Sequence, residues 1–461
     1  MSKTRAVDPS GELRPARFAP STILHIVFKM NMARPNPVPH CFNVKGKIFV
    51  KLRQLLGLLL AIALIATACG SSEDSAGGSD ADTSSTSSSS ASSASLDIDA
   101  ILGADPANCE EAPSGDPIKV GMVMDFSEAA GFVDIPGADV VPYVASLANC
   151  VGGVDGRPVE VEVREAGDDP ALSTQELIDW GAHFFIGPPF ADATLPMQQT
   201  GGGQYAIFAA ASTEPTLADA ANNTFLVTFD DNGQSTASAE YALAQGLNRA
   251  IIFTEGTGVP YSGVNPDAFK AAFVAGGGEI VSEQTYAWFV DTDFSSQVTE
   301  VASVADGTEV FFSAGAGFQI TALRAQMEGQ GLNDITYMGT DAFDATGIIA
   351  DPGGEGMIHT PHTIIESGSA LETVLADSGT LASDAPGFMP LYIDSMFLGI
   401  QGMLDCGCND PAGIAGAVGN ISDFDGTSGS ITYAGTNGIP PKAVSIVQNV
   451  DGAYVLLDTI G

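Results

Sequence analysis

Basic residues are scarce: the 461-residue chain holds 17 Lys and Arg against 56 Asp and Glu, and ten of the 17 precede Cys69. From Cys69 onward, seven basic side chains face 54 acidic ones. Such a surface repels phosphate backbones and anionic headgroups, which excludes nucleic-acid binding and basic-patch docking on membranes; its simplest role is solubility in salty surroundings. Histidine is equally sparse, and His359 and His362 sit in a His-Thr-Pro-His loop too loosely spaced for a metal site. Cys406-Gly407-Cys408 lacks a second Cys or His pair at zinc spacing, so no metal is expected. No GxSxG, HExxH, phosphate loop or GxGxxG-then-acid pattern stands in a strand–helix context, so neither an enzyme nor a cofactor is expected. The apolar run Leu55 to Ala68 spans fourteen residues. As a helix it reaches about 21 Å, short of a ~30 Å hydrocarbon core.

That run has another use. Lys45, Lys47, Lys51 and Arg53 precede it, and Ala66-Thr67-Ala68 leads into Cys69-Gly70, the order of a secretory signal. Ile65-Ala66-Thr67-Ala68-Cys69 resembles a bacterial lipobox, with Ala66 where Leu is more usual, and the resemblance implies cleavage before Cys69 and acylation of it; plain secretion is the alternative. Residues 1–44 are rich in Pro and Arg and would displace the signal from the N-terminus. Translation is therefore expected to start downstream, at Met30, Met32 or a non-Met start such as Val50. Ser71 to Ser95 is dominated by Ser, Ala, Gly, Asp and Thr, which bury too little to offset ordering entropy. The expected layout is an upstream extension over 1–44, a signal over 45–68, and a lipidated Cys with a flexible tether over 69–116.

With 45% hydrophobic residues, the remainder suffices for two cores. Short apolar strands alternate with helical patterns from Lys119 onward: strands at 120–123, 159–163, 184–186 and 206–208, helices near 138–148 and 172–180. Ser173 and Glu176 have capping-box spacing. The pattern repeats with strands at 250–253, 279–282, 310–312 and 335–338 and helices near 266–275, 294–304 and 320–327. Repeated βα units predict an α/β chain with two Rossmann-like lobes and parallel central sheets. Loops beyond the strand carboxyl ends then face a shared crevice.

Within that frame Ile118-Lys119-Val120-Gly121, Gly152-Gly153-Val154-Asp155-Gly156-Arg157-Pro158, Asp168-Asp169-Pro170, Ile186-Gly187-Pro188, Thr292-Asp293-Phe294-Ser295 and Gly354-Glu355-Gly356-Met357 follow in order. The series resembles the branched-chain amino-acid (Leu/Ile/Val) substrate-binding proteins of ABC transporters, from about Ile118 to Leu457. The resemblance implies the type I periplasmic-binding fold with a three-crossover hinge. Lobe 1 would hold 117–232 plus 357–440, and lobe 2 would hold 233–356 plus 441–461. It also implies a monomer on the extracytoplasmic face of the cytoplasmic membrane, reaching that membrane only through its lipid. Such a protein hands a small solute to a permease and ATPase complex; a ligand-sensing lipoprotein is the alternative, and a secreted hydrolase a remoter one.

By the same resemblance Ala211 and Thr213 would hold a ligand carboxylate, either as a loop leading into a helix or, more blandly, with Ser212 and Thr213 only capping it. Asp341 would take the ammonium, Tyr261 would stack or donate, and Ala191 and Phe132 would line the cleft. Phe190-Ala191-Asp192-Ala193-Thr194 replaces a run of serines, and Gly315-Ala316-Gly317 predicts a roomier second-lobe wall. Of the cysteines beyond Cys69, Cys109 with Cys150 and Cys406 with Cys408 are the expected disulfides in an oxidising compartment, the crossed pairing being the rival.

Overall fold

The computed structural model describes residues 96–461 except 128, 257–259 and 316. The extension 1–44, the signal 45–68, Cys69 and Ser71 to Ser95 lie outside the described residues. The chain enters as α1 (Ile98–Leu102), capped by Asp97. Ile101 is buried in the first core with Leu96 and Ile98 packed beside it, the Leu96 N–H donates to the Gln401 side chain, and Cys109 is bonded to Cys150. Residues 96–116 therefore belong to the folded body, which corrects the tether expected to run to 116. Leu96, Ile98 and Ile101 supply the apolar surface that the serine run lacks.

The first lobe continues as β1 (Ile118–Met124), α2 (Gly131–Cys150), β2 (Val159–Glu165), α3 (Pro170–Trp180), β3 (Phe184–Gly187), α4 (Ala191–Gly201), β4 (Ile207–Ala209) and β5 (Thr224–Leu226). These strands form a parallel sheet in the order β2-β1-β3-β4-β5. β3 and β4 are buried on both faces, and so is β1 apart from Lys119, hence their unbroken apolar sequences. α2 starts at Gly131, earlier than its pattern predicts, because Pro136 inside it reads as a breaker. The capping box at Ser173 and Glu176 does not form. Asp169 caps α3 by accepting from the Leu172 N–H, with Pro170 in the first turn. Ser173 instead donates to the Glu165 carbonyl, and Glu176 pairs with Arg164.

The second lobe comprises α5 (Asp231–Ala244), β6 (Arg249–Glu255), α6 (Pro260–Ala275), β7 (Glu279–Tyr286), α7 (Ser295–Ala302), β8 (Val310–Ser313), α8 (Gly317–Gly329), β9 (Thr336–Gly339), α9 (Thr346–Ile349) and β10 (Ile358–His359). The chain then returns to the first lobe with α10 (Ala370–Asp377), α11 (Met389–Cys406), α12 (Pro411–Val418) and the hairpin β11 (Phe424–Gly426) and β12 (Gly429–Ile431). It crosses a third time to β13 (Val444–Val450) and β14 (Ala453–Ile460), antiparallel strands that complete the order β14-β13-β10-β9-β8-β6-β7. The parallel part repeats the strand order of the first sheet. Two lobe boundaries shift: β10 pairs with β9 and β13, so residues 357–359 belong to the second lobe, and α5, which packs on α6 and β13, brings Asp231 and Asn232 with it. No helix among the described residues is long and apolar enough to cross a membrane.

Candidate functional site

Strand order reverses between β1 and β3 in one sheet and between β6 and β8 in the other, and open α/β sheets place ligands at such switch points, beyond the carboxyl ends of the strands. Those ends meet here around a cleft of about 420 Å³. The loops after β1, β3 and β4 supply Ala129, Pro189, Phe190 and the run Ala211 to Glu214, and the second lobe supplies Tyr261, Trp288, Phe318 and Asp341.

Five of the six residues expected at the site line it: Ala211, Thr213, Tyr261, Asp341 and Phe132. Ala191 does not. It opens α4 and packs against the small apolar cluster around Leu217 and Leu226, leaving its neighbours Pro189 and Phe190 to face the cleft. Thr194, the hydroxyl nearest the missing serines, is buried and donates to the Pro188 carbonyl. Residues 211–215 do not lead into an α-helix; turns follow, then a short 3-10 turn at Ala220–Asn222 capped by Asp219. Neither the helix-entry reading nor the capping reading of Ser212 and Thr213 therefore holds. Among the described residues, the N–H groups of Ala211 and Thr213 nevertheless find no protein acceptor.

Nor does the glycine pair widen the wall. A Cβ at Gly315 would fall 2.0 Å from the Tyr286 hydroxyl, and one at Gly317 would fall 2.0 Å from Ile348. Both glycines make room for those two side chains, and Gly317 also lines the cleft.

Asp341 stands at the end of β9, 5% exposed. Its Oδ1 accepts from Gln234 Nε2 at 2.8 Å and from the Tyr261 hydroxyl at 2.6 Å, while Oδ2 lies 3.1 Å from His362 Nε2. Burial works against the charge, but His362, Tyr261 and Gln234 outweigh it and hold the carboxyl below its ordinary range. Gln234 also accepts from the Asp341 N–H at 3.1 Å and from the Thr360 hydroxyl at 2.8 Å, so its amide is fixed. A second carboxyl, Asp231, sits close by; burial pushes it up to about 8, with Thr213 and Asn265 opposing and the Asp341 charge adding to the rise. Its Oδ2 has no partner among the described residues. His362 is held from the other side by Thr228 Oγ1 at 3.0 Å, between the Phe229 and Phe388 rings.

Sequence reasoning missed Gln234, Asp231 and His362 and all of the second-lobe aromatics except Tyr261. Trp288 carried one signal, as one of only two tryptophans in the chain. Both disulfides form as first paired, Cys109 with Cys150 and Cys406 with Cys408. Among the described residues no three His, Cys, Asp or Glu side chains gather as metal ligands.

No curated protein matches the chain. Solved structures share its fold at low identity. A leucine-binding protein, LivK, from Thermotoga maritima is 20% identical, with a TM-score of 0.65 over 75% of this chain and 99% of that one. The branched-chain amino-acid transporter substrate-binding protein LivJ from Streptococcus pneumoniae, solved with isoleucine, is 18% identical, with a TM-score of 0.63 over 74% and 100%. A solute-binding protein from R. palustris, solved with benzoate, is 20% identical, with a TM-score of 0.61 over 75% and 96%. The model of the periplasmic binding protein family matches residues 117–453, and the chain belongs to that family of solute-binding proteins.

Proposed function

We propose that the chain captures an ammonium-bearing solute, an amino acid or close analogue, by closing its lobes over the cleft outside the cytoplasmic membrane. The solute then passes to the permease and ATPase of an ABC transporter, while acylated Cys69 holds the protein at the membrane. The observation that carries this reading is Asp341, an ionised carboxylate on the cleft wall where no Lys, Arg or His is among the lining residues. Gln234, Tyr261 and His362 engage three of the roughly four acceptor sites of this carboxylate, which leaves one for an ammonium on the solute. The N–H groups of Ala211 and Thr213 are available for the carboxylate of an amino acid.

Binding without turnover fits the same geometry. Thr228, His362 and Asp341 stand in a hydroxyl–imidazole–carboxylate row, but Thr228 is 1% exposed and is not among the residues lining the cleft, so its hydroxyl has no route to a solute. Calorimetry against amino acids, amines, sugars and organic acids tests the reading. Asp341→Ala is expected to weaken amino-acid binding at least about tenfold, since truncating one side of a buried charge-assisted contact costs about 2–5 kcal/mol. Binding confined to solutes without an ammonium group, undiminished in Asp341→Ala, would refute it.

A further inference from the structure

Resting on that ammonium reading, we propose that the solute carries a ring: an arylalkyl ammonium compound, its cation at Asp341 and its ring between two aromatic walls. In the second lobe Tyr261 stacks on Trp288 with ring centroids 6.0 Å apart, Trp288 adjoins Phe289 at 5.1 Å and Phe289 meets Phe318 at 5.8 Å. Opposite them Phe132 stands edge-on to Phe388 at 6.3 Å. Phe132, Phe289 and Phe318 are 42%, 51% and 55% exposed. Every other phenylalanine among the described residues is more covered, so each phenylalanine left open to water lies on this cleft. Rings in water are a cost that an apolar, flat occupant removes.

The wall is built rather than incidental. Phe289 has φ of +58°, a left-handed conformation that a bulky side chain adopts only when its surroundings impose it. Gln319, 1% exposed, imposes it: Oε1 accepts from the Phe289 N–H at 2.9 Å, and Nε2 donates to the Ala287 and Asp291 carbonyls at 3.0 and 2.8 Å. The turn so fixed presents Trp288 and Phe289 to the cleft. Glu214, Asp351 and Asp384 join Asp341 along the lining. A second negative charge on the solute would meet these carboxylates, whereas an ammonium beside Tyr261 and Trp288 also gains from the ring faces.

The test is calorimetry on the full chain with phenethylamine, L-phenylalanine, L-leucine and benzoate. Both ring-bearing amines are expected to bind about tenfold or more tightly than leucine, with no binding of benzoate. Phe318→Ala and Trp288→Ala should each lower their affinity by roughly tenfold, a larger loss than for leucine in the same variants. Phe318 is exposed, so its variant keeps the fold, which an unchanged melting curve verifies. Leucine binding as tightly as phenylalanine, or failure of both ring-bearing amines to bind, overturns the ring while leaving an ammonium site to stand on leucine. Benzoate binding alone, equally tight in Asp341→Ala, overturns both readings.

Discussion

Trp288 gives the cleft its own reporter. The other tryptophan, Trp180, ends α3 beneath the Lys119 ammonium, 4.8 Å from its ring, and is not among the cleft residues. Ligand-dependent tryptophan fluorescence is therefore expected to survive Trp180→Phe and to vanish in Trp288→Phe; the reverse pattern would place the solute elsewhere. Gln319→Leu should cost on the order of 2 kcal/mol in denaturant melts, because two carbonyls and an N–H lose their partner. What was legible at this scale came through the family resemblance, which pointed to Asp341, Thr213 and Ala211; all three follow strand ends, where ligands gather in open α/β sheets. Gln234 reaches Asp341 across 107 residues of sequence. Nothing local marks such a residue, and His362 beside a proline reads as an ordinary loop histidine.

Among elements, the central strands β1, β3, β4, β6, β8 and β9 were readable because each is a short, largely buried run. α11 was not. Its residues from Met389 to Ile400 are buried on every side, so it has no polar face from which a helical period could be read. Buried inside it, Asp394 accepts from the backbone N–H and the hydroxyl of both Thr427 and Ser428, pinning the turn of the β11–β12 hairpin. Asp394→Ala should therefore lower stability by roughly 3 kcal/mol, with Asp394→Asn recovering part of it. The two disulfides should differ in the same assay. Cys109–Cys150 closes a separation of 41 residues and Cys406–Cys408 one of 2. Loop-closure entropy then gives about 4 kcal/mol for the first and less than about 2 for the second. Equal losses on replacing each pair by serine would argue against the entropic account here.

For the whole molecule, buried titratable groups set the response to pH. Burial pushes Asp134 up to about 8, against donors from Tyr392 and the Asp125 N–H, and Asp231 likewise reaches about 8. Both keep protons in the folded chain that the unfolded chain releases near its ordinary 3.8, so their contribution is greatest at low pH and is lost as pH rises to 8. His359, pushed by burial from 6.5 down to about 3, acts oppositely: its contribution is full above 6.5 and lost as pH falls toward 3. From pH 6.5 to about 7.5 Asp134 and Asp231 dominate; closer to 8 Lys442, which burial lowers from 10.5 to about 8, begins to act against them. The melting temperature should therefore decline from pH 6.5 to about 7.5, and Asp134→Asn should flatten roughly half of the decline; a melting temperature that rises with pH there would contradict the assignment.

The three passages between the sheets also govern the order in which the chain can fold. The first sheet is complete by Leu226, yet its core waits for α11, and β10 waits for β13 and β14 at the far end of the sequence. Neither lobe is a continuous stretch of chain. A nascent polypeptide crossing a membrane N-terminus first would hold both cores unfinished until its last forty residues or so emerged, and would stay threadable for as long as the translocation channel needs it unfolded.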